Sequence, residues 1–155
     1  MNDLRLRLQE LGLVLPPAPL PAASYMPWVI EDSLLYVSGQ VPKDPNGAER
    51  YIGKLGIEFD IPQGQAAARL CALNVLAQVD AAVEHRFDRV RRCLRLGGFV
   101  NSAVDFYDHP SVINGASELL MQVMGDQGRH ARTAVGVVSL PRNVAVEVDA
   151  IFALT

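Results

Sequence analysis

Two residues near the C-terminal end carry the chemistry that stands out in this chain. Arg132 opens the run ARTAVGVVS, and Glu147 sits inside VAVEVDAIFAL. An arginine can grip a carboxylate through two parallel N–H bonds, and its charge is permanent. A glutamate can orient a water or take its proton. Both are also common strand residues: Arg132 can pair with Asp149 or Glu147, and Glu147 can simply face solvent. Ser38 and Gly39 end an early β-prone run. There Gly39 lets backbone approach a ligand and Ser38 donates or accepts, or the pair merely closes a strand. No His and Asp share a motif with Ser38, which argues against a nucleophilic triad. Tyr25 offers an aromatic wall and one hydroxyl, or packs beside Trp28. Asn114 falls in a helical stretch that it does not favour, so it either contacts a ligand or makes a buried hydrogen bond.

The remaining candidates are weaker. His85, His109 and His130 are scattered, with no paired spacing that would build a metal site, so no metal is expected. His109 precedes Pro110 and is expected to help cap a helix. His130, two residues before Arg132, is a candidate for the same pocket. Cys71 and Cys93 read as buried free thiols, which suits a reducing compartment. Arg86, Arg89, Arg91, Arg92 and Arg95 form a basic run that phosphates could meet. It shows no RNA-stacking pattern of aromatics, and a solvated face or an intersubunit ion-pair set explains it better. The net charge is −3, which gives no general reason to bind nucleic acid. No apolar run is long enough to cross a membrane, and the N-terminus lacks the apolar stretch of a secretory signal.

Periodicity places these residues on elements. Residues 3–11 read as a short helix with Leu4, Leu8 and Leu11 on one face, capped by Asn2 or Asp3 and stopped by Gly12. Residues 13–23, with four prolines, read as an extended strap, so that 1–23 packs as an extension on a single domain spanning 1–155. Trp28–Ile30 and Ser33–Ser38 form a hairpin turning at Glu31-Asp32. Helices follow at 61–86, with Asn74, Gln78 and Glu84 on the wetter side, and at 110–124. Between them 90–104 is a long strand, with Gly97-Gly98 as a bulge or a close backbone approach. At the end, 132–139 and 144–152 alternate with the strand period and read as a hairpin closed by Leu140–Asn143. That register sets Gly136 against Glu147 and puts Arg132, Ala134, Gly136, Glu147 and Asp149 on one face. Arg132 and Glu147 would then lie about 13 Å apart along the backbone, with room for a small ligand between them. The order β-β-α-β-α-β-β after a leading helix predicts an α+β fold, two helices on one face of a mixed sheet.

Four motifs agree with a known family. The string RTAVGVVSLPRNVAVEVDAI resembles the C-terminal signature of the RidA (YjgF) family of reactive intermediate deaminases, with its Arg, its Leu-Pro and its Glu at Arg132, Leu140-Pro141 and Glu147. Ser38-Gly39-Gln40-Val41-Pro42 resembles that family's S-G-Q-x-P. Tyr25, thirteen residues before Ser38, and Asn114 in a V-I-N run fall where the family places site residues. The resemblance implies the chorismate-mutase-like fold and a cytoplasmic homotrimer with sites at subunit interfaces. It implies hydrolysis of small enamines or imines to 2-oxo acids and ammonia without a cofactor. Arg132 would hold the substrate carboxylate and Glu147 would handle the water. Tyr25, Ser38, Gly39 and Asn114 would line the pocket, with Tyr25, Ser38 and Gly39 coming from the neighbouring subunit. Ala134 departs from the polar residue several relatives carry, so only its backbone can serve. The segment Gly128–His130 and the N-terminal extension also differ from the shorter members. A carboxylate-binding regulatory trimer without turnover is the alternative, and endoribonuclease a third reading.

Overall fold

The computed structural model describes residues 4–155. Helix α1 (Leu4–Glu10) leads, followed by strands β1 (Trp28–Glu31) and β2 (Leu34–Gln40). Helix α2 (Ile61–Ala82), strand β3 (Val90–Asn101), helix α3 (His109–Met124) and strands β4 (Ala131–Val137) and β5 (Val146–Leu154) complete the chain. The five strands make one mixed sheet in the order β1-β2-β5-β3-β4, in which β3 and β4 run parallel and the other pairs antiparallel. Helices α2 and α3 cover one face of it. The core between them is built by Leu76, Val79, Leu96, Val100, Ile113, Leu119, Leu120 and Phe152.

Local chemistry explains the elements. Asp60 caps α2 in a reciprocal box with Gln63: each side chain bonds the other's backbone N–H at 2.9 Å, and Pro62 occupies the first turn. Gly12, at φ +71°, lies just past the end of α1. The cap proposed for α1 at Asn2 or Asp3 lies outside the described residues. A seven-residue helix is marginal alone. Leu4 and Leu8 are fully buried, worth about 1.5–3 kcal/mol each, and Arg7 donates to the Gln122 carbonyl of α3. Asp80, buried on α2, holds Arg5 at 3.0 Å and His85 at 2.7 Å.

Two expectations are corrected, and one pair of alternatives is decided. The terminal strands do not form a hairpin: β4 pairs with β3 (Arg132 beside Leu96, Gly136 beside Val100), and β5 lies on the far side of β3. The connection crosses the end of β3 through a 3-10 turn at Pro141–Asn143, where Arg142 and Asn143 both take positive φ. Alternation identifies strands but not partners. The strand whose helix-facing row is entirely apolar (Val146, Val148, Ala150, Phe152) goes to the middle, where it buries most. Asn74 and Gln78 are fully buried rather than wet, because the strap and residues 41–43 lie over them. Asn74 Nδ2 donates to the carbonyls of Val41 and Lys43, and Gln78 Nε2 to that of Pro19. The bulges of β3 fall before Arg92 and Arg95, whereas Gly97 and Gly98 are close approaches, to Asp149 and to Ile113.

The two helices cross where Gly115 meets the backbone of Gln65. A Cβ at Gly115 would collide with the Gln65 carbonyl, which cannot step aside as a side-chain tip could. Gly115→Ala is therefore expected to destabilise the fold by about 1–3 kcal/mol, despite alanine's higher helix propensity. A denaturant midpoint equal to or above wild type would show that the helices move apart freely.

Candidate functional site

Strand β5 has two unlike faces. Its even-numbered residues enter the core, while Glu147 and Asp149 point to the face that no helix covers. Glu147 lies directly over Gly39, where any Cβ would strike its carboxylate. Around it a cavity of about 570 Å³ is lined by Tyr25, Pro27, Ser38, Lys43, Arg142 and the strap residues Pro19–Ala23. Ser38 Oγ donates to the Met26 carbonyl at 2.7 Å, and Ser38 N–H to that of Pro27 at 3.0 Å. This ties the Tyr25 segment to β2 and leaves the hydroxyl oxygen free only to accept. Tyr25 is half exposed rather than packed in the core, and its oxygen accepts the Ala22 N–H at 3.4 Å. Burial pushes the Glu147 carboxyl above its ordinary value, the Asp149 charge adds to this, and Arg142 opposes it. Arg142 itself is ion-paired with Glu49. Among the described residues, no hydrogen-bond donor holds the Glu147 carboxylate. Such a group holds a proton more readily than an ordinary glutamate and is suited to taking one up and giving it back.

Arg132 belongs to a different cluster. Its neighbours Ala134 and Gly136 show which way this row points: Ala134 packs on the core, and a Cβ at Gly136 would meet the His109 ring of α3. The Arg132 guanidinium likewise turns to α3. Nη1 donates to Asn114 Oδ1 at 2.8 Å and Ser117 Oγ at 3.2 Å, and Nη2 to the Pro110 carbonyl at 3.3 Å. All three acceptors are neutral, and among the described residues no carboxylate lies within salt-bridge distance of it. The Asp149 alternative goes instead to Arg95, at 4.0 Å. Half-buried His130 reaches Ser117 Oγ with Nε2 at 2.9 Å, and its Nδ1 lies 2.6 Å from the Gly128 carbonyl. His109 does not cap α3 with its ring; it bonds Ser102 Oγ at 3.1 Å.

The structure thus gathers Tyr25, Ser38, Gly39 and Glu147 in one place and Arg132 and Asn114, with Ala134 alongside, in another. Arg132 and Glu147 do not share a face. Arg132 pairs with Leu96, whose side chain enters the helix-side core, and Glu147 with Phe99, on the opposite face of β3. Their backbones are two strand spacings and three rungs apart, roughly 14 Å, with the sheet between the side chains. Ser117 and Arg142 were not foreseen. Their types carry no signal, and only the packing of α3 and the crossover turn bring them in.

A family model described as "YjgF/chorismate_mutase-like, putative endoribonuclease" matches residues 5–153. The chain belongs to this YjgF/chorismate-mutase-like family. It is 48% identical to protein TCP17 of Trypanosoma cruzi over 95% of this chain and 91% of that one. The crystal structure of Atu1372 from Agrobacterium tumefaciens superposes with a TM-score of 0.92 at 46% identity, covering 99% of this chain and 93% of that one. The YjgF gene product of E. coli is more distant, with a TM-score of 0.62 at 26% identity over 90% of this chain and 93% of that one. The α+β architecture expected from the element order, and the YjgF-type fold that the motif resemblance implied, are thus shown.

Because folding raises the proton affinity of Glu147, its protonated form is favoured in the native state. The stabilisation this gives is complete below the ordinary glutamate value and is lost as pH rises through the raised one. Glu147→Gln removes that loss. Its melting temperature is expected to equal or exceed that of wild type at pH 7, with the difference vanishing at pH 4. A variant that melts lower than wild type at pH 7 would place Glu147 among the structural groups.

Proposed function

We propose that this protein hydrolyses small enamines or imines bearing a carboxylate, releasing ammonia and a 2-oxo acid, at sites shared between two copies of the chain. One observation carries this reading. Arg132 holds an unneutralised cation on one face of the sheet edge, and Glu147 a donor-free carboxylate in a cavity on the other. No small ligand reaches both within one chain. Two copies set edge to cavity bring them together, and a closed ring of three, the assembly expected from the family resemblance, repeats that contact without leaving an open end. The uncovered sheet face, with half-exposed Val29, Tyr36 and Val135, supports burial against other copies.

In this scheme the Arg132 fork takes the carboxylate and Asn114 steadies the guanidinium. The free acceptor of Ser38 takes an N–H of the substrate nitrogen. An enamine first takes a proton from solvent at its terminal carbon and becomes the protonated imine; Glu147 then accepts a proton from water as the oxygen adds to the imine carbon. It then returns that proton to the nitrogen of the carbinolamine, and as the carbon–nitrogen bond breaks the hydroxyl gives its own proton to Glu147, so that ammonia leaves and the carbonyl remains. The raised proton affinity of Glu147 supports both halves of the exchange. Against an RNA substrate, Arg86 is drawn to Asp88, Arg92 to the Arg129 carbonyl and Arg95 to Thr133, so the basic run presents no continuous groove.

Glu147→Gln and Arg132→Ala should each abolish ammonia release from freshly generated 2-aminoacrylate. Mixed in equal amounts by co-refolding, the two dead variants should regain about a quarter of wild-type activity, since a random ring gives one site in four both intact residues. A mixture that stays dead, or a wild-type chain that is monomeric by light scattering at micromolar concentration, rejects the shared site. A wild-type trimer that binds 2-oxobutanoate yet releases no ammonia would make the protein a carboxylate-binding regulator.

A further inference from the structure

Arg132 has three neutral partners, and one of them is unstable in that role. Ser117 lies inside α3, where a serine hydroxyl ordinarily turns back to the carbonyl four residues earlier or rotates freely. To accept from Arg132, its oxygen must keep a lone pair on the guanidinium and send its own proton elsewhere. His130 receives it. The donor assignment is forced by what each end can do. Gly128 offers only a carbonyl oxygen, so Nδ1 of His130, 2.6 Å away, carries the ring proton and Nε2 is an acceptor. Arg132 can only donate, so the Ser117 proton points at Nε2, 2.9 Å away. The result is a one-way chain, Arg132 to Ser117 to His130 to the Gly128 carbonyl. Its far end is fixed, because Gly128 packs against the α3 backbone at Leu120 too closely for any side chain.

We propose that His130 is a positioning residue for Arg132, acting through Ser117 to hold the guanidinium fork in the orientation that receives a carboxylate. His130 does not touch the ligand. It removes the alternative in which the Ser117 proton faces Arg132 and repels it. The ring also stays neutral for this purpose: burial lowers its proton affinity and the Arg132 charge adds to that, while the Gly128 bond opposes them. The ligand-binding part of this inference rests on the carboxylate role proposed above for Arg132; the orientation part does not.

The test separates the two. In protein labelled with nitrogen-15 at arginine, a guanidinium held by directed bonds gives resolved Nη proton signals, and one that rotates gives averaged signals. Wild type is expected to show resolved Arg132 signals. His130→Phe, similar in size but without ring nitrogens, should average them. His130→Gln, whose amide can accept from Ser117 and donate to Gly128, should restore them. The dissociation constant of 2-oxobutanoate should rise about two- to tenfold in His130→Phe, the span of one neutral hydrogen bond, and recover in His130→Gln. Ser117→Ala cuts the same chain at its other link, and combining it with His130→Phe should add nothing further. If His130→Phe fails to fold, Ser117→Ala carries both readouts. Arg132 signals that remain resolved in the folded variants overturn the assignment. Averaged signals in a protein whose wild type binds no 2-oxobutanoate would uphold His130 while rejecting the carboxylate reading.

Discussion

The position of β5 between β2 and β3 sets most of what this molecule can do. A central strand is hydrogen-bonded on both edges, so its residues have only two directions left, up and down. On the helix side Val146, Val148, Ala150 and Phe152 fill the core under α2 and α3. On the other side, with no helix above it, Glu147 stands at a half-buried site that water alone would not create. The same arrangement pushes β4 to the sheet edge. There its row of Arg132, Ala134 and Gly136 lies beneath the first turns of α3, with small residues leaving room for Asn114, Ser117 and the His109 ring. Cation and carboxylate are therefore parted by the fold itself, and a chemistry that needs both must recruit a second chain.

The walls of the Glu147 cavity depend on two buried amides. Gln78 reaches the strap at Pro19 and comes within 3.5 Å of Gln40, while Asn74 holds the carbonyls of Val41 and Lys43. A buried amide without partners would cost several kcal/mol, so these bonds fix where the strap and the segment after Gly39 can lie. The N-terminal extension is in this way part of the site's architecture: Pro19–Ala23 line the cavity that also holds Ser38 and Glu147. The lone unsatisfied buried side-chain atom among the described residues, Asn74 Oδ1, lies beside this cavity's support and not in the main core.

Element types and order were legible in the amino-acid sequence because apolar spacing reports burial directly. The stripe of α3, the Asp60 cap and the alternation from Val144 to Phe152 each had one reading. Strand pairing was not legible, since the same alternation suits a hairpin or a crossover past an intervening strand. Eight residues between Val137 and Val146 span either path. That single ambiguity turned Arg132 to the wrong face. Asn74 and Gln78 misled for a related reason: polarity on a helix signals water only when nothing else covers it, and here the covering segment comes from more than thirty residues away. Motif resemblance located Tyr25, Ser38, Gly39, Asn114, Arg132 and Glu147 as candidates. It could not say that they divide into two clusters, because that division is a property of strand order.

The division also answers why such costly groups sit where they do. A guanidinium satisfied only by neutral oxygens and a carboxylate lifted above its ordinary proton affinity are both poor choices for stability. A carboxylate beside Arg132 would neutralise it, and donors around Glu147 would lower its proton affinity again. Either repair would also remove what a ligand needs, an unspent charge at one end and a movable proton at the other. The pairing of Arg142 with Glu49 shows that the fold can neutralise an arginine, even one that lines the Glu147 cavity. Arg132 is different in kind: three partners orient it and none discharges it. Orientation without neutralisation is what the carboxylate-binding role proposed for Arg132 requires.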